Sequence, residues 1–438
     1  MATRKSKRIA ALAVIGSGML AVTACGSPTQ NAAAPTANKT TGKVTITWAA
    51  GTITGNGLRK TLIAAFEKAY PNIKVTIIPE ASSTDTTRAT LSTQISGGSQ
   101  TPDVYLGDVI WPGQFGSEQL AVPLNKHLPN SFFSRFAPGL VQGASYKGNV
   151  YGAPFFMDAG FLYYRKDLLA EAGLPVPKTW EQLKSESLTL ENKHLVKYGF
   201  VWEGSSYEGL TCDWMEYLAD AGGQVFNAAG QPTMNSPAAT HALTFMRSLI
   251  TSGASPKAVT TFQEPQAMNA FDQGQAAFLR NWDYAYSNSQ TPGQSRVVGK
   301  VGVVPLPTFA GHGNMGYACI GGWDMYINPH SQHMAQDLTF INFMTGQYAQ
   351  NILATKFSMI PTNGMVQNDP KVKAMNPVLA IVPKTRLVSR PSQTPYYAKV
   401  SQAIYSNLNA ALAGETSVKQ ALNNANAQVK SATSSSSL

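Results

Sequence analysis

The residue types that most often carry covalent or redox chemistry form few spaced signatures in this chain. Gly311-His312-Gly313-Asn314-Met315-Gly316 satisfies the G-x-G-x-x-G pattern. A dinucleotide turn must leave a strand and open a helix, and no helical periodicity follows Gly316, so the segment reads as a loop. His330 and His333 stand three apart where a helix opens, on its polar side and with no third ligand nearby. There is no G-x-S-x-G elbow, no H-E-x-x-H pair and no P-loop. The three cysteines, Cys25, Cys212 and Cys319, include no C-x-x-C spacing of the kind that holds zinc. No metal and no cofactor is therefore expected.

Cys25 closes a distinctive leader. Arg4, Lys5, Lys7 and Arg8 precede an apolar run from Ile9 to Ala24, too short and Gly-rich for a spanning helix of about 20 apolar residues. A positive start, an apolar middle and small residues before a cut describe a secretory signal. The Leu20-Ala21-Val22-Thr23-Ala24-Cys25-Gly26 segment resembles the lipobox of bacterial lipoproteins, which implies cleavage before Cys25 and a thioether link from its sulfur to diacylglycerol. The alternative is an ordinary signal peptide with an incidental cysteine. Residues 1–24 are set aside as the leader, and the mature protein is expected on the outer face of the cytoplasmic membrane, anchored through Cys25. Export permits a disulfide between Cys212 and Cys319, but sequence says nothing of their approach; two buried free thiols are the preferred reading.

Composition excludes other classes. The 438 residues are 43% hydrophobic and 13% charged, enough for a sizeable core and more than one domain. The formal net charge of +10 falls to +6 once the four leader cations are removed. No run of lysines or arginines follows the leader, so the clustered cations of a nucleic-acid footprint are lacking. A mild basic balance suits a protein held beside anionic lipid.

The elements follow in a readable order. Residues 25–42, rich in Ser, Pro, Thr and Ala, form a flexible tether, and the serine-rich 431–438 segment is expected to be a disordered tail. Val44–Trp48 and Ile73–Ile77 alternate as strands do. Between them Leu58, Leu62, Ala65, Phe66 and Ala69 recur at helical spacing, and Pro71 stops the helix. A helix from about Asp85 to Ser96 and a strand at Val104–Leu106 complete a β-α-β-α-β pattern, which predicts a parallel sheet covered on both faces. Thr179-Trp180-Glu181-Gln182 is a capping box. Ser236-Pro237 opens a helix whose apolar stripe is Leu243, Met246, Leu249 and Ile250, with Gly253 past its end. Val301–Val304 and Cys319–Ile327 read as strands; helices follow from about Ala335 to Leu353 and from Tyr397 to Val429.

Several segments together resemble the extracellular solute-binding proteins of ABC sugar importers. They are Leu62–Pro71, Pro102-Asp103-Val104-Tyr105-Leu106-Gly107-Asp108-Val109-Ile110-Trp111, Tyr151-Gly152-Ala153-Pro154, Leu162–Leu169, Lys178–Leu183, Phe271–Phe278 and the Ala421-Leu422 helix. Tyr207–Cys212, Gly321-Gly322-Trp323, Arg390-Pro391 and Pro395-Tyr396-Tyr397 look closest to trehalose- and maltose-binding lipoproteins. The resemblance implies an α/β, periplasmic-binding-protein-like fold of two α/β lobes with a three-segment hinge and a ligand cleft between them. It implies an N-terminal lobe of 43–155 and 319–366, a C-terminal lobe of 156–318 and 367–430, and chain crossings near Pro154–Gly160, Ala318–Trp323 and Thr362–Asp369. The implied ligand is an α-linked disaccharide, trehalose first and maltose second, with an ABC permease as membrane partner and the chain acting as a monomer.

Within that resemblance the matching positions supply what a disaccharide needs: carboxylates and arginine for hydroxyls, aromatic faces for C–H surfaces, glycines for close backbone approach. The set is Asp108, Trp111, Asp158, Glu264, Trp282, Gly321, Gly322, Trp323 and Arg390, with Arg88 facing the cleft from the second helix. Each has a plainer alternative: Asp108 as a helix cap, Asp158 as a solvated hinge residue, Trp111 and Trp282 as core aromatics, Arg88 as surface. The Gly51–Gly57 segment departs from related sites, offering Thr52, Thr54 and Asn56 where an acidic residue is common. Carboxylates around a sugar also serve glycoside hydrolases, which need two of them about 5–5.5 Å or 6.5–9.5 Å apart; that is the rival reading. A third is a binder of another small solute on the same scaffold.

Overall fold

The computed structural model describes residues 42–51 and 57–434. Cys25, most of the tether, and Thr52, Thr54 and Asn56 lie outside the described residues. The first strands and helices are β1 (Val44–Ala50), α1 (Leu58–Ala69), β2 (Ile73–Pro79), α2 (Thr84–Ser96) and β3 (Val104–Asp108). Both β1–β2 and β1–β3 are parallel, as the alternation of strands and helices predicts. The large sheet then departs from the all-parallel expectation. Strand β4 (Ala153–Ala159) enters it, and after a single glycine β5 (Phe161–Arg165) starts a second sheet.

The second half of the architecture is built from α3 (Trp180–Asn192), β6 (Tyr198–Val201), α4 (Glu208–Asp220), α5 (Pro237–Thr251), α6 (Glu264–Asp272), β7 (Ala276–Asn281) and β8 (Val301–Val304). Strands β8, β5, β7 and β6 make a four-stranded sheet in that order. The chain then returns through β9 (Tyr317–Ile327), α7 (Met334–Met344), α8 (Gln347–Phe357) and β10 (Ile360–Pro361), before β11 (Arg386–Val388), α9 (Tyr397–Ala413) and α10 (Val418–Ser434). The large sheet runs β10-β4-β9-β3-β1-β2, with β11 joined to the start of β9. Strand β9 is antiparallel to both β3 and β4, so the sheet is mixed. The result is two α/β lobes around a cleft, linked by β4, β9 and the segment after β10.

Local signals place most of these elements. Thr179 and Gln182 complete the capping box of α3, Ser236 caps α5 through Ala239 N–H, and Gly253 ends it at φ 89°. The large sheet's core is aromatic: Trp48 meets Phe340 edge-on at 5.2 Å, and Phe66 meets Phe340 at 4.9 Å. Such pairs add about 0.5–1.5 kcal/mol each beyond their area. The expected disordered tail is corrected for residues 431–434: α10 buries Ala421, Leu422, Ala425 and Val429 and carries the serines on as helix to Ser434.

Candidate functional site

Register in the large sheet explains how distant residues meet. Strand β9 lies between β3 and β4, with Trp323 opposite Asp108 and Gly321 opposite Asp158. Paired residues on neighbouring strands project to the same face, so two carboxylates and a tryptophan converge at one edge of the cleft. A cavity opens there. Its walls include Asp108, Asp158, Glu264, Trp282, Gly321, Gly322, Trp323 and Arg390. Eight of the sequence-derived positions thus share one cavity.

Arg390 holds the centre of the polar wall. Its Nη2 donates to Asp108 Oδ1 at 2.9 Å and its Nη1 to Glu208 Oε1 at 3.0 Å. Burial opposes the charge, and the Asp108 and Glu208 carboxylates more than reverse that, raising the guanidinium's pKa further. The arginine's Nε has no partner. Asp108 also accepts from Ile110 N–H at 3.3 Å and from the Thr84 hydroxyl at 3.3 Å. Asp108 thus braces the turn after β3 but caps no helix, since the following helix starts at Pro112 with Trp111 at its N-cap and no side-chain cap bond; it stands in the cavity wall. Glu208 accepts from Tyr397 at 2.7 Å; burial raises its carboxyl to about 7 against the pull of Arg390.

Asp158 is fully buried rather than a solvated hinge residue, and it hydrogen-bonds Asp283. Two carboxyls can do so only with a proton between them. Burial, then the Asp283 charge, pushes Asp158 well above the carboxylate range, while Asp283 is raised to about 6 by burial and accepts Ile360 N–H at 2.7 Å. Asp158 Oδ1 is left without a partner at the cavity wall.

Trp282 packs against a charged brace and a glycine. The Arg280 guanidinium carbon stands 4.2 Å from its ring centre on one side. Gly321 also lies against this ring, where a Cβ would approach it to 2.8 Å. Gly322, at φ 139°, would bring a Cβ within 2.7 Å of the Phe156 carbonyl. Arg280 itself is bound by Glu203 at 2.8 Å, Asp213 at 3.0 Å and Glu216 through its Nε at 3.0 Å. Glu264 opens α6 and hydrogen-bonds Tyr207; burial raises its carboxyl.

Trp111 and Arg88 fall outside this cavity. Trp111 stacks on Phe115 at 4.9 Å and meets Trp323 edge-on at 6.2 Å. It lines a smaller adjoining space with Arg88, which donates to Gln114 Oε1 at 3.1 Å. Residues not assigned from sequence complete the main wall: Ser82, Thr84, Glu208, Gly209, Cys212 and Tyr284. Glu208 lies in the Tyr207–Cys212 segment noted in the sequence, which was the one available signal. Ser82 and Thr84 reach the wall only because α2 starts beside it.

Residues 49–351 match the family described as bacterial extracellular solute-binding protein. The chain belongs to that family. A probable ABC transporter-binding protein of Deinococcus radiodurans is 34% identical, covering 86% of this chain and 91% of the relative. The solved structure of maltose-bound T. maritima MalE3 is 34% identical with a TM-score of 0.82, covering 88% of this chain and 99% of that one. A maltooligosaccharide ABC transporter solute-binding lipoprotein of Streptococcus pneumoniae is 26% identical, over 82% of each chain. This solute-binding protein is the binding component of an ABC transporter and not an enzyme, which removes the glycoside hydrolase reading. Among the described residues no helix is long and apolar enough to cross a membrane.

Proposed function

We propose that this solute-binding protein captures an α-linked disaccharide outside the cell and delivers it to a membrane permease for import. The observation that carries this reading is the make-up of one cavity, where Asp108, Asp158, Glu208, Glu264 and Arg390 surround Trp282 and Trp323. Sugar hydroxyls donate and accept, so a wall of carboxylates beside an arginine suits them, and C–H faces suit the rings. The maltose-bound relative at 34% identity moves maltose ahead of trehalose, and trehalose stays as the second candidate on the Gly321-Gly322-Trp323 and Arg390-Pro391 segments.

Closure supplies the mechanism. Thr84, Asp108 and Trp323 would face the ligand from the lobe of residues 43–155 and 319–366. Glu208, Glu264, Trp282 and Arg390 would face it from residues 156–318 and 367–430. A ligand bridging both walls favours the closed state by its differential affinity. Cys25 carries the lipid anchor after the leader is cut, and the chain works as a monomer at the membrane surface.

Calorimetric titration with maltose, trehalose, sucrose, glucose and mannitol tests the proposal. Saturable binding of one maltose per chain, tighter than mannitol, is the expected result. Mannitol binding without any disaccharide response would replace the disaccharide with an alditol.

A further inference from the structure

Cys212 and Cys319 lie far apart in the sequence, yet α4 packs directly on β9 and brings them together. The two side chains are close enough to interact, the Cys319 thiol donates to the Ile320 carbonyl at 3.8 Å, and the sulfurs are unlinked here. Both are buried, at 2% and 0% exposure. The Cys319 N–H donates to Glu216 Oε1 at 3.0 Å, one helical turn beyond Cys212 on the same helix. The backbone is therefore already fixed where the two side chains meet. Cys212 also lines the cleft cavity, so this pair sits in the wall of the binding site.

We infer that Cys212 and Cys319 form a disulfide in the exported protein, tying the first turns of α4 to β9 at the edge of the cleft. The family is extracellular, a setting in which disulfides form and persist. Forming the bond shortens a sulfur–sulfur contact to about 2.05 Å. The two thiols release two protons and two electrons; the oxidant is a protein or small-molecule disulfide, whose two sulfurs leave as thiols. Burial pushes the Cys212 thiol well up, which suppresses the attacking thiolate in the closed fold. Exchange therefore takes place while the chain folds. The bond fixes the spacing between Glu208 and Gly209 on α4 and Gly321 to Trp323 on β9, residues that line the same cavity.

Peptide mapping of the full chain, recovered from the membranes of cells that export it and alkylated under denaturing conditions without reductant, tests this. A single linked peptide pair containing Cys212 and Cys319 is expected, with the Cys25 peptide separate from it. Reduction should then lower the Tm by about 5 °C in the wild type and leave Cys319→Ser unchanged. Alkylation of both cysteines without reductant overturns the inference, and so does a wild-type Tm indifferent to reductant. Neither readout involves a sugar, so failure here is distinct from failure of the proposed ligand.

Discussion

Two buried arginines, Arg280 and Arg390, each gather carboxylates, and they do so to different ends. Arg280 is enclosed: Glu203, Asp213 and Glu216 surround it at 2.8, 3.0 and 2.5 Å, and its flat face backs Trp282. Arg390 has fewer anionic partners, Asp108 and Glu208, leaves its Nε unpartnered and stands in the cavity wall. Three carboxylates cannot all be charged cheaply around one cation. Burial and their mutual repulsion raise Glu203 and Asp213 well above the usual carboxylate range. The first cluster is a frame that sets the position of an aromatic ring. The second lines the cavity proposed to take the ligand.

Substitution separates the two roles. Arg280→Met should strand three buried carboxylates and destabilise the fold by about 3–5 kcal/mol, read as a lowered guanidinium midpoint. Arg390→Met should act mainly on ligand binding, lowering maltose affinity by about 2–3 kcal/mol because hydrogen bonds from a charged donor are lost. Its unfolding midpoint should fall less than that of Arg280→Met, since two buried acids rather than three lose their cation. Equal stability losses in the two variants would collapse the distinction between frame and site.

Trp282 joins the clusters. Trp282→Ala should weaken sugar binding by about 1–3 kcal/mol, by analogy with aromatic stacking on nucleobases, as measured by titration. Part of that loss should appear in stability, because the ring also faces the Arg280 cation. Unchanged affinity with lowered stability would assign Trp282 to the frame alone.

These roles were unequally legible in the sequence. The caps at Thr179 and Ser236 and the turn at Gly253 depend on residues a few positions apart, so the pattern was sufficient. The insertion of β9 between β3 and β4 was not, because register between strands more than 150 residues apart is set by packing, not by local propensity. Family-like segments brought Asp108, Asp158 and Arg390 into consideration. Nothing in Ala277-Phe278-Leu279-Arg280, however, announces that this arginine is buried among acids contributed by α4 and the end of β6. Tryptophan type alone likewise did not separate Trp111, stacked behind the wall, from Trp282 at its surface.

The smallest predicted effect sharpens the comparison at Glu208, the carboxylate through which Arg390 meets α4. Its carboxyl is raised to about 7, first by burial and then by Asp85 and Asp108, with Arg390 opposing. The native state therefore keeps a proton that the unfolded chain releases near the ordinary value of 4.5. A state that binds more protons loses stability as pH rises, so this contribution is complete below about 4.5 and is lost as pH climbs through about 7. In thermal melts the Tm should fall between pH 5 and pH 8, and Glu208→Gln should make that fall smaller. An undiminished fall would assign the pH dependence to other buried acids, Asp283 and Asp324 among them, raised to about 6 and about 8. The Arg390 wall would then hold Glu208 ionised throughout, and it would meet a ligand with a full negative charge.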